Sequence, residues 1–123
     1  MAKPSTILIG VVGPCSAGKS TLARALRSLG YRVKEIRQEH SVAPDMWQRI
    51  TDPDVLIYLD VSLRVGAHRE GLNRPSTWWR DERDVRLAHA RANCDLYIDT
   101  SDLAIDEVID VAVGYLEGLQ SAV

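Results

Sequence analysis

Apolar and polar residues follow one another in blocks whose period switches, and the switches mark out a strand–helix series. Ile7-Leu8-Ile9-Gly10-Val11-Val12 is an unbroken apolar run of strand length, the mark of a strand covered on both faces. Between Thr21 and Leu29 the period becomes helical, with Leu22, Ala25, Leu26 and Leu29 on one face and Gly30 as a natural C-cap. Tyr31 to Arg37 alternates apolar and charged positions, as an edge or half-exposed strand does, and leaves Gln38-Glu39-His40-Ser41 at its end. A short helix is expected from Pro44 to Ile50, closed by Asp52-Pro53. Val55 to Asp60 reads as a second buried strand; Ser62 caps a helix running to about Gly71, and Asn73-Arg74-Pro75-Ser76 breaks it. Arg80 to Asn93 reads as a charged helix, Leu96-Tyr97-Ile98 as a short strand, and Ile105 to Leu119 as a strongly amphipathic helix.

Strands alternating with helices imply an α/β fold: one domain over residues 1–123, with a parallel sheet of about four strands and helices on both faces. Ligands of such sheets sit beyond the carboxyl ends of the strands, where the loop after the first strand, Glu39 and Asp60 all fall. The chain of 123 residues is long enough for one substantial core. A net charge of -2 argues against a nucleic-acid-binding surface. The run from Met1 into the first strand is too short for a signal peptide or membrane span, and two cysteines without a C-x-x-C pattern fit a reducing compartment. A cytoplasmic protein with no membrane partner is therefore expected.

Chemistry enters with Gly13-Pro14-Cys15-Ser16-Ala17-Gly18-Lys19-Ser20, which spells G-x-x-x-x-G-K-S between a predicted strand and a predicted helix. Gly13 and Gly18 allow positive φ and close approach to an anion, and the backbone N–H groups at the helix N-terminus form a concave phosphate site. Lys19 is expected to reach the β/γ oxygens, and the Ser20 hydroxyl to sit on Mg²⁺. The pattern implies a P-loop NTPase fold binding a nucleoside di- or triphosphate with Mg²⁺ through Gly13, Cys15, Ser16, Ala17, Gly18, Lys19, Ser20 and Thr21. Cys15 is either a small residue tolerated in this loop or a thiol whose pKa the helix N-terminus lowers, open to oxidation.

Phosphoryl transfer also needs a carboxylate to position Mg²⁺ or to accept a proton, and Glu39 and Asp60 compete for that role. Glu39 is either functional or a solvated strand-end carboxylate. Asp60 ends an apolar run as a Walker B aspartate does. His40 is a base, a phosphate contact or surface decoration; His68 and His89 lack a second ligand at i+4 for a metal site. Trp78-Trp79 either stacks on a base or packs against the core. Glu82 and Arg86 form a candidate i,i+4 pair.

These stretches resemble the P-loop small-molecule kinases, the nucleoside and nucleoside monophosphate group. Beside the G-x-x-x-x-G-K-S-T loop, Pro53 to Ser62 followed by Arg69 is similar to the late strand and helix of thymidylate-kinase-like enzymes, whose arginine leads into a lid. In that group the position of Asp60 is structural. Cys94 to Leu103, then Glu107-Val108, is similar to the last strand and C-terminal helix of cytidylate-kinase-like enzymes. The resemblance implies Ser101 and Asp102 beside the adenine, and a lid arginine set drawn from Arg69, Arg74 and Arg80, whose planar guanidinium groups suit phosphate. Glu39 resembles the acid of the acid-Arg-Ser motif of nucleoside kinases, with His40 in the arginine's place. Three departures stand out: only residues 40 to 53 lie where the group inserts an acceptor-binding segment, the fifth parallel strand usual in a complete kinase is missing from the pattern, and Ala104 replaces a helix-capping Ser or Thr, a loss for which Asp102 is a substitute.

The expectation is an ATP-dependent small-molecule kinase with catalytic Lys19, Glu39, Arg69, Arg74 and Arg80, and with Mg²⁺ held by Ser20 and Glu39 or Asp60. The acceptor is an unknown small molecule, and a homodimer could complete its pocket. The alternative is a nucleotide-binding module without phosphotransferase activity. A GTPase-type switch fits poorly, since neither an N/T-K-x-D tetrad nor a D-x-x-G after Asp60 is present.

Overall fold

The computed structural model describes residues 7–74 and 77–121; the N-terminal stretch and the Pro75-Ser76 break lie outside them. Four strands, β1 (Leu8–Val12), β2 (Arg32–Glu35), β3 (Val55–Asp60) and β4 (Leu96–Asp99), form one parallel sheet in the order β2-β1-β3-β4. Among the described residues five α-helices accompany it: α1 (Lys19–Ser28), α2 (Leu63–Arg69), α3 (Thr77–Asp81), α4 (Ala88–Ala92) and α5 (Ile105–Ser121). Successive strands are added on one side of β1 and then on the other, so the sheet changes direction between β1 and β3, the place where such sheets open a crevice at their carboxyl ends. Among the described residues, no helix is long and apolar enough to cross a membrane.

The predicted strands and the long helices α1 and α5 stand within a few residues of their expected limits, and Ser62 caps α2 by accepting from the Val65 N–H at 3.2 Å. The expected helix over 44–50 is instead a single π-turn, Trp47–Thr51, with Trp47 buried against the sheet. The expected helix over 80–93 is divided into α3, a π-turn over Glu82–Arg86, and α4. Its wider winding, with Leu87 N–H donating to the Glu82 carbonyl five residues back, breaks the i,i+4 alignment. Glu82 therefore turns into the interior and makes no pair with Arg86, which lies 3.4 Å from Asp81. At the start of α5, it is Glu107 and not Asp102 that restores a cap, its carboxylate accepting from the Ala104 N–H at 2.8 Å.

Two aspartates set the strand register. Asp54 and Asp95 stand just before β3 and β4; each side chain accepts from a backbone N–H of the neighbouring strand, Leu8 and Leu56 respectively, at 2.7 Å. Each pairs its own N–H with the carbonyl of that same residue at 2.8 Å. An amide that would be orphaned at the strand entry is thus satisfied by an acid one residue outside the ladder.

Both sheet faces are covered. Ile9, Val11, Ile57 and Leu59 pack with Leu22 and Leu26 of α1 and with Val108, Ala112 and Leu116 of α5. Val12, Leu56 and Tyr58 pack on the other face with Trp47, Leu87 and Ala90. Gly10 carries no side chain to obstruct Ile36 and Pro53, which lie where its Cβ would stand. Asp60 closes the carboxyl end of β3: its buried carboxylate accepts from Arg83 Nε at 2.9 Å and Nη2 at 3.1 Å, from the Val61 N–H at 2.8 Å and from the Tyr97 hydroxyl. A carboxylate enclosed this way is the anchor of the 82–86 stretch.

Asp60→Ala strands a largely buried guanidinium, so chemical denaturation is expected to show a loss of about 3 kcal/mol or more. In Gly66→Ala the new Cβ would lie 2.5 Å from two ring atoms of Trp79. A fused ring cannot bend aside, so a loss of about 1–3 kcal/mol with an altered tryptophan emission spectrum is expected.

Candidate functional site

The Gly13–Ser20 loop leaves β1 and enters α1 beneath the carboxyl ends of the strands. Its shape rests on close approach and handedness: a Cβ at Gly13 would lie 2.0 Å from the Leu59 carbonyl oxygen, and Gly18 adopts φ 96°. Ser16 also takes a left-handed conformation, φ 75°. Beside the loop opens a cleft of about 350 Å³ bordered by Cys15, Lys19, Ser20, Glu35, Glu39 and His40, with Thr21 and Arg37 at its margin.

Lys19 is buried; its Nζ donates to the Gly13 carbonyl and is ion-paired with Glu39. Glu39, itself buried, is held there by its neighbour. Gln38 donates to the carbonyls of Ala43 at 2.7 Å and Arg86 at 3.3 Å and accepts from the Trp47 N–H at 2.8 Å. With its amide satisfied on both ends, Gln38 locks the 3₁₀ turn over Gln38–His40 and turns Glu39 toward the loop. The other oxygen of Glu39, Oε1, has no hydrogen-bond partner among the described residues.

The carboxylate facing Ser20 belongs to Glu35, a residue the sequence reading passes over: Ser20 Oγ donates to its two oxygens at 2.9 and 3.0 Å. Glu35 is the last residue of β2 and lies in register with Val11, which carries it to the mouth of the loop. Its signal in the sequence is only a charged position in an alternating strand. Asp60, the rival for a metal role, does not border the cleft, and its oxygens are taken by Arg83, Tyr97 and Val61. In this structure the Asp60 carboxylate has a structural use, apart from the cleft.

Arg69 reaches the loop from the end of α2. Its guanidinium donates to the Ser16 carbonyl at 2.8 Å and to the Thr100 hydroxyl and carbonyl at 3.1 and 2.7 Å. Glu70 accepts from the Ser16 hydroxyl. The turn carrying Ser101 and Asp102 is thereby tied to the loop, with Ser101 Oγ donating to Asp99 at 2.6 Å and accepting from the Ser62 N–H at 2.8 Å. Asp102 is exposed. Arg74 and Arg80 are exposed, and none of the three arginines borders the cleft; Arg69 touches the loop through its bond to the Ser16 carbonyl.

Of the two tryptophans, Trp79 packs in the core, and Trp78 lies against a protein side chain. Trp79 is buried on Gly66, its indole N–H donating to the Cys15 carbonyl at 3.2 Å; Trp78 is exposed and stacks on His40 with ring centroids 6.0 Å apart. His89 accepts the indole N–H of Trp47 at 3.1 Å, a structural use. Of the two readings of Cys15, the raised thiol goes with the small loop residue and not with an activated thiolate. Burial, with Glu82 beside it, pushes its thiol up to about 11, so the helix N-terminus does not make it a thiolate. Glu82 is itself fully buried, and burial raises its carboxyl above the ordinary range.

The geometry joins an anion-receptive helix N-terminus to an ammonium, a hydroxyl and two carboxylates across one cleft. Comparison with protein-family models and with curated proteins returns no match to this chain.

Proposed function

We propose that the chain is a P-loop NTPase-fold protein of the small-molecule kinase type, binding ATP with Mg²⁺ at the Gly13–Ser20 loop and transferring the terminal phosphoryl group to a small acceptor. The observation that carries this reading is the double pairing at the cleft. Lys19 and Ser20, consecutive in the loop, face Glu39 and Glu35 respectively. Phosphoryl transfer asks for that set: a cation for the transferring phosphate, hard oxygen donors for Mg²⁺, and a carboxylate free to take a proton.

The loop amides at the start of α1 receive the phosphates. Lys19 turns from Glu39 to the phosphate oxygens, an exchange of one anionic partner for another within reach of its flexible stem. Glu39, released, accepts the proton of an acceptor hydroxyl. Ser20 and Glu35 would hold Mg²⁺, which when bound neutralises charge between the phosphates. Arg69, tying Ser16 to Thr100, keeps the loop in register with the Thr100–Asp102 turn, where the base would rest beside Ser101 and Asp102.

A second reading, nucleotide binding without transfer, is favoured by the connection from β2 to β3. Its residues 36–54 are drawn tight to the sheet by Gln38 and the buried Trp47, which leaves little chain for an acceptor pocket. The outer side of β2 forms no ladder among the described residues, so a second copy could complete the site.

Calorimetry with ATP and Mg²⁺ is expected to show binding that Lys19→Ala weakens by about tenfold or more, the worth of one charge-assisted hydrogen bond. Glu39→Gln should retain ATP affinity and lose transfer, and Glu35→Ala should raise the Mg²⁺ concentration required. Tight ATP binding with no transfer to nucleosides, nucleoside monophosphates or hydroxylated metabolites selects the second reading. Absence of ATP binding, or affinity indifferent to Lys19→Ala, overturns both. Arg69→Ala is expected to weaken ATP several-fold and to increase amide hydrogen exchange at residues 14–18 without global unfolding.

A further inference from the structure

Cys15, Glu39 and His40 bring a thiol sulfur, a carboxylate oxygen and an imidazole nitrogen within 4.8 Å of one another. The three come from two separate segments, the Gly13–Ser20 loop and the turn after β2, so no local sequence repeat produces the grouping. A tetrahedral ion with bonds of roughly 2.0–2.3 Å requires ligand atoms about 3.5 Å apart. The contraction needed is on the order of 1 Å, within the reach of side-chain rotation.

A second observation points to a cation here. Glu39 is 2% exposed and its Oε1 has no hydrogen-bond partner among the described residues. Glu82 is 0% exposed, and its neighbour is Cys15, whose thiol and backbone N–H lie against its carboxyl. That carboxyl feels both His40 and Glu39 electrostatically. Lys19 satisfies only one oxygen of Glu39. A buried carboxyl oxygen without a donor is costly, and a divalent ion held by the three side chains removes that cost at Glu39.

We infer that Cys15, Glu39 and His40 form a binding site for a borderline divalent transition-metal ion of the Zn²⁺ class, with Glu82 as the buried carboxylate behind it. The donor set selects the ion: a sulfur and an imidazole nitrogen disfavour Mg²⁺ and Ca²⁺, and mixed S, N and O ligation suits Zn²⁺. On binding, the Cys15 S–H bond is replaced by a sulfur–metal bond, and the proton is released to solvent. Glu39 is the carboxylate ligand: its Oε2, which is paired with Lys19, lies 3.9 Å from His40 Nε2, and its Oε1 has no hydrogen-bond partner among the described residues. The ion bridges the loop to the 3₁₀ turn. The site is distinct from the Ser20–Glu35 pair, whose all-oxygen donors suit Mg²⁺, and it does not depend on the nucleotide reading.

Titration of the untagged chain with Co²⁺ reads the site directly. The expected result is one equivalent bound, with a thiolate-to-cobalt charge-transfer band in the near ultraviolet and the visible bands of a tetrahedral ion, displaced by Zn²⁺. Cys15→Ser should abolish the charge-transfer band, and His40→Ala, at an exposed position, should weaken Zn²⁺ binding by about tenfold or more in calorimetry. Cys94→Ser should leave both unchanged, and Glu82→Gln should weaken binding while circular dichroism shows the fold intact. A charge-transfer band that is absent from the wild type, that survives Cys15→Ser, or that vanishes in Cys94→Ser overturns the proposal. So does Zn²⁺ affinity indifferent to His40→Ala.

Discussion

The buried pair between Lys19 and Glu39 is the constraint around which the cleft is arranged. An ammonium and a carboxylate withdrawn from water lose several kcal/mol of hydration each, and their attraction offsets this only when the geometry is enforced from outside. Here the enforcement has two sources. The Gly13 carbonyl takes a further hydrogen from Lys19, and the saturated amide of Gln38 fixes the turn that delivers Glu39. Remove either support and the pair would relax toward solvent, taking the mouth of the cleft with it.

The same economy of polar groups recurs at the other ends of the strands. Asp54 and Asp95 complete the ladders at strand entries, and Asp60 fills the exit of β3 with bonds to Arg83 and Tyr97. Asp60 thereby fastens the 82–86 π-turn to the sheet, and that turn carries Glu82 under the Gly13–Ser20 loop. Arg69 and Trp79 grip the loop backbone from outside, at the carbonyls of Ser16 and Cys15. The loop is thus held by its neighbours' side chains, at two of its carbonyls and at the Ser16 hydroxyl.

Much of the architecture was legible from periodicity. Buried parallel strands such as Ile7–Val12 and Val55–Asp60 carry uninterrupted apolar runs because both faces are covered, and α1 and α5 show one apolar stripe because only one face is. The short segments were harder to read. The stretch after Arg80 has helical composition throughout, yet it winds as a π-turn in its middle because Glu82 and Leu87 must both face inward. Trp47, in a segment with no clear period, is placed by the Gln38 amide from outside its own stretch.

Local sequence determined the loop, since its glycine spacing, its lysine and its serine act through backbone geometry and reach only a few residues. It also placed Lys19 and Ser20 within that loop, whereas the bond from Arg69 to the Ser16 carbonyl is a product of the fold. Which acid serves which partner was decided by tertiary structure alone. Glu35, Glu39 and Asp60 all stand at or near strand ends, and nothing within a strand distinguishes them; the order β2-β1-β3-β4 sets Glu35 and Glu39 on the cleft side of β1 and gives Asp60 to Arg83. The environment of Cys15 was decided in the same way. Its proximity to the helix N-terminus is a local fact, but burial beside Glu82, sixty-seven residues away, outweighs it. Electrostatics and desolvation sum over all neighbours in space, and a linear sequence records only the neighbours along the chain.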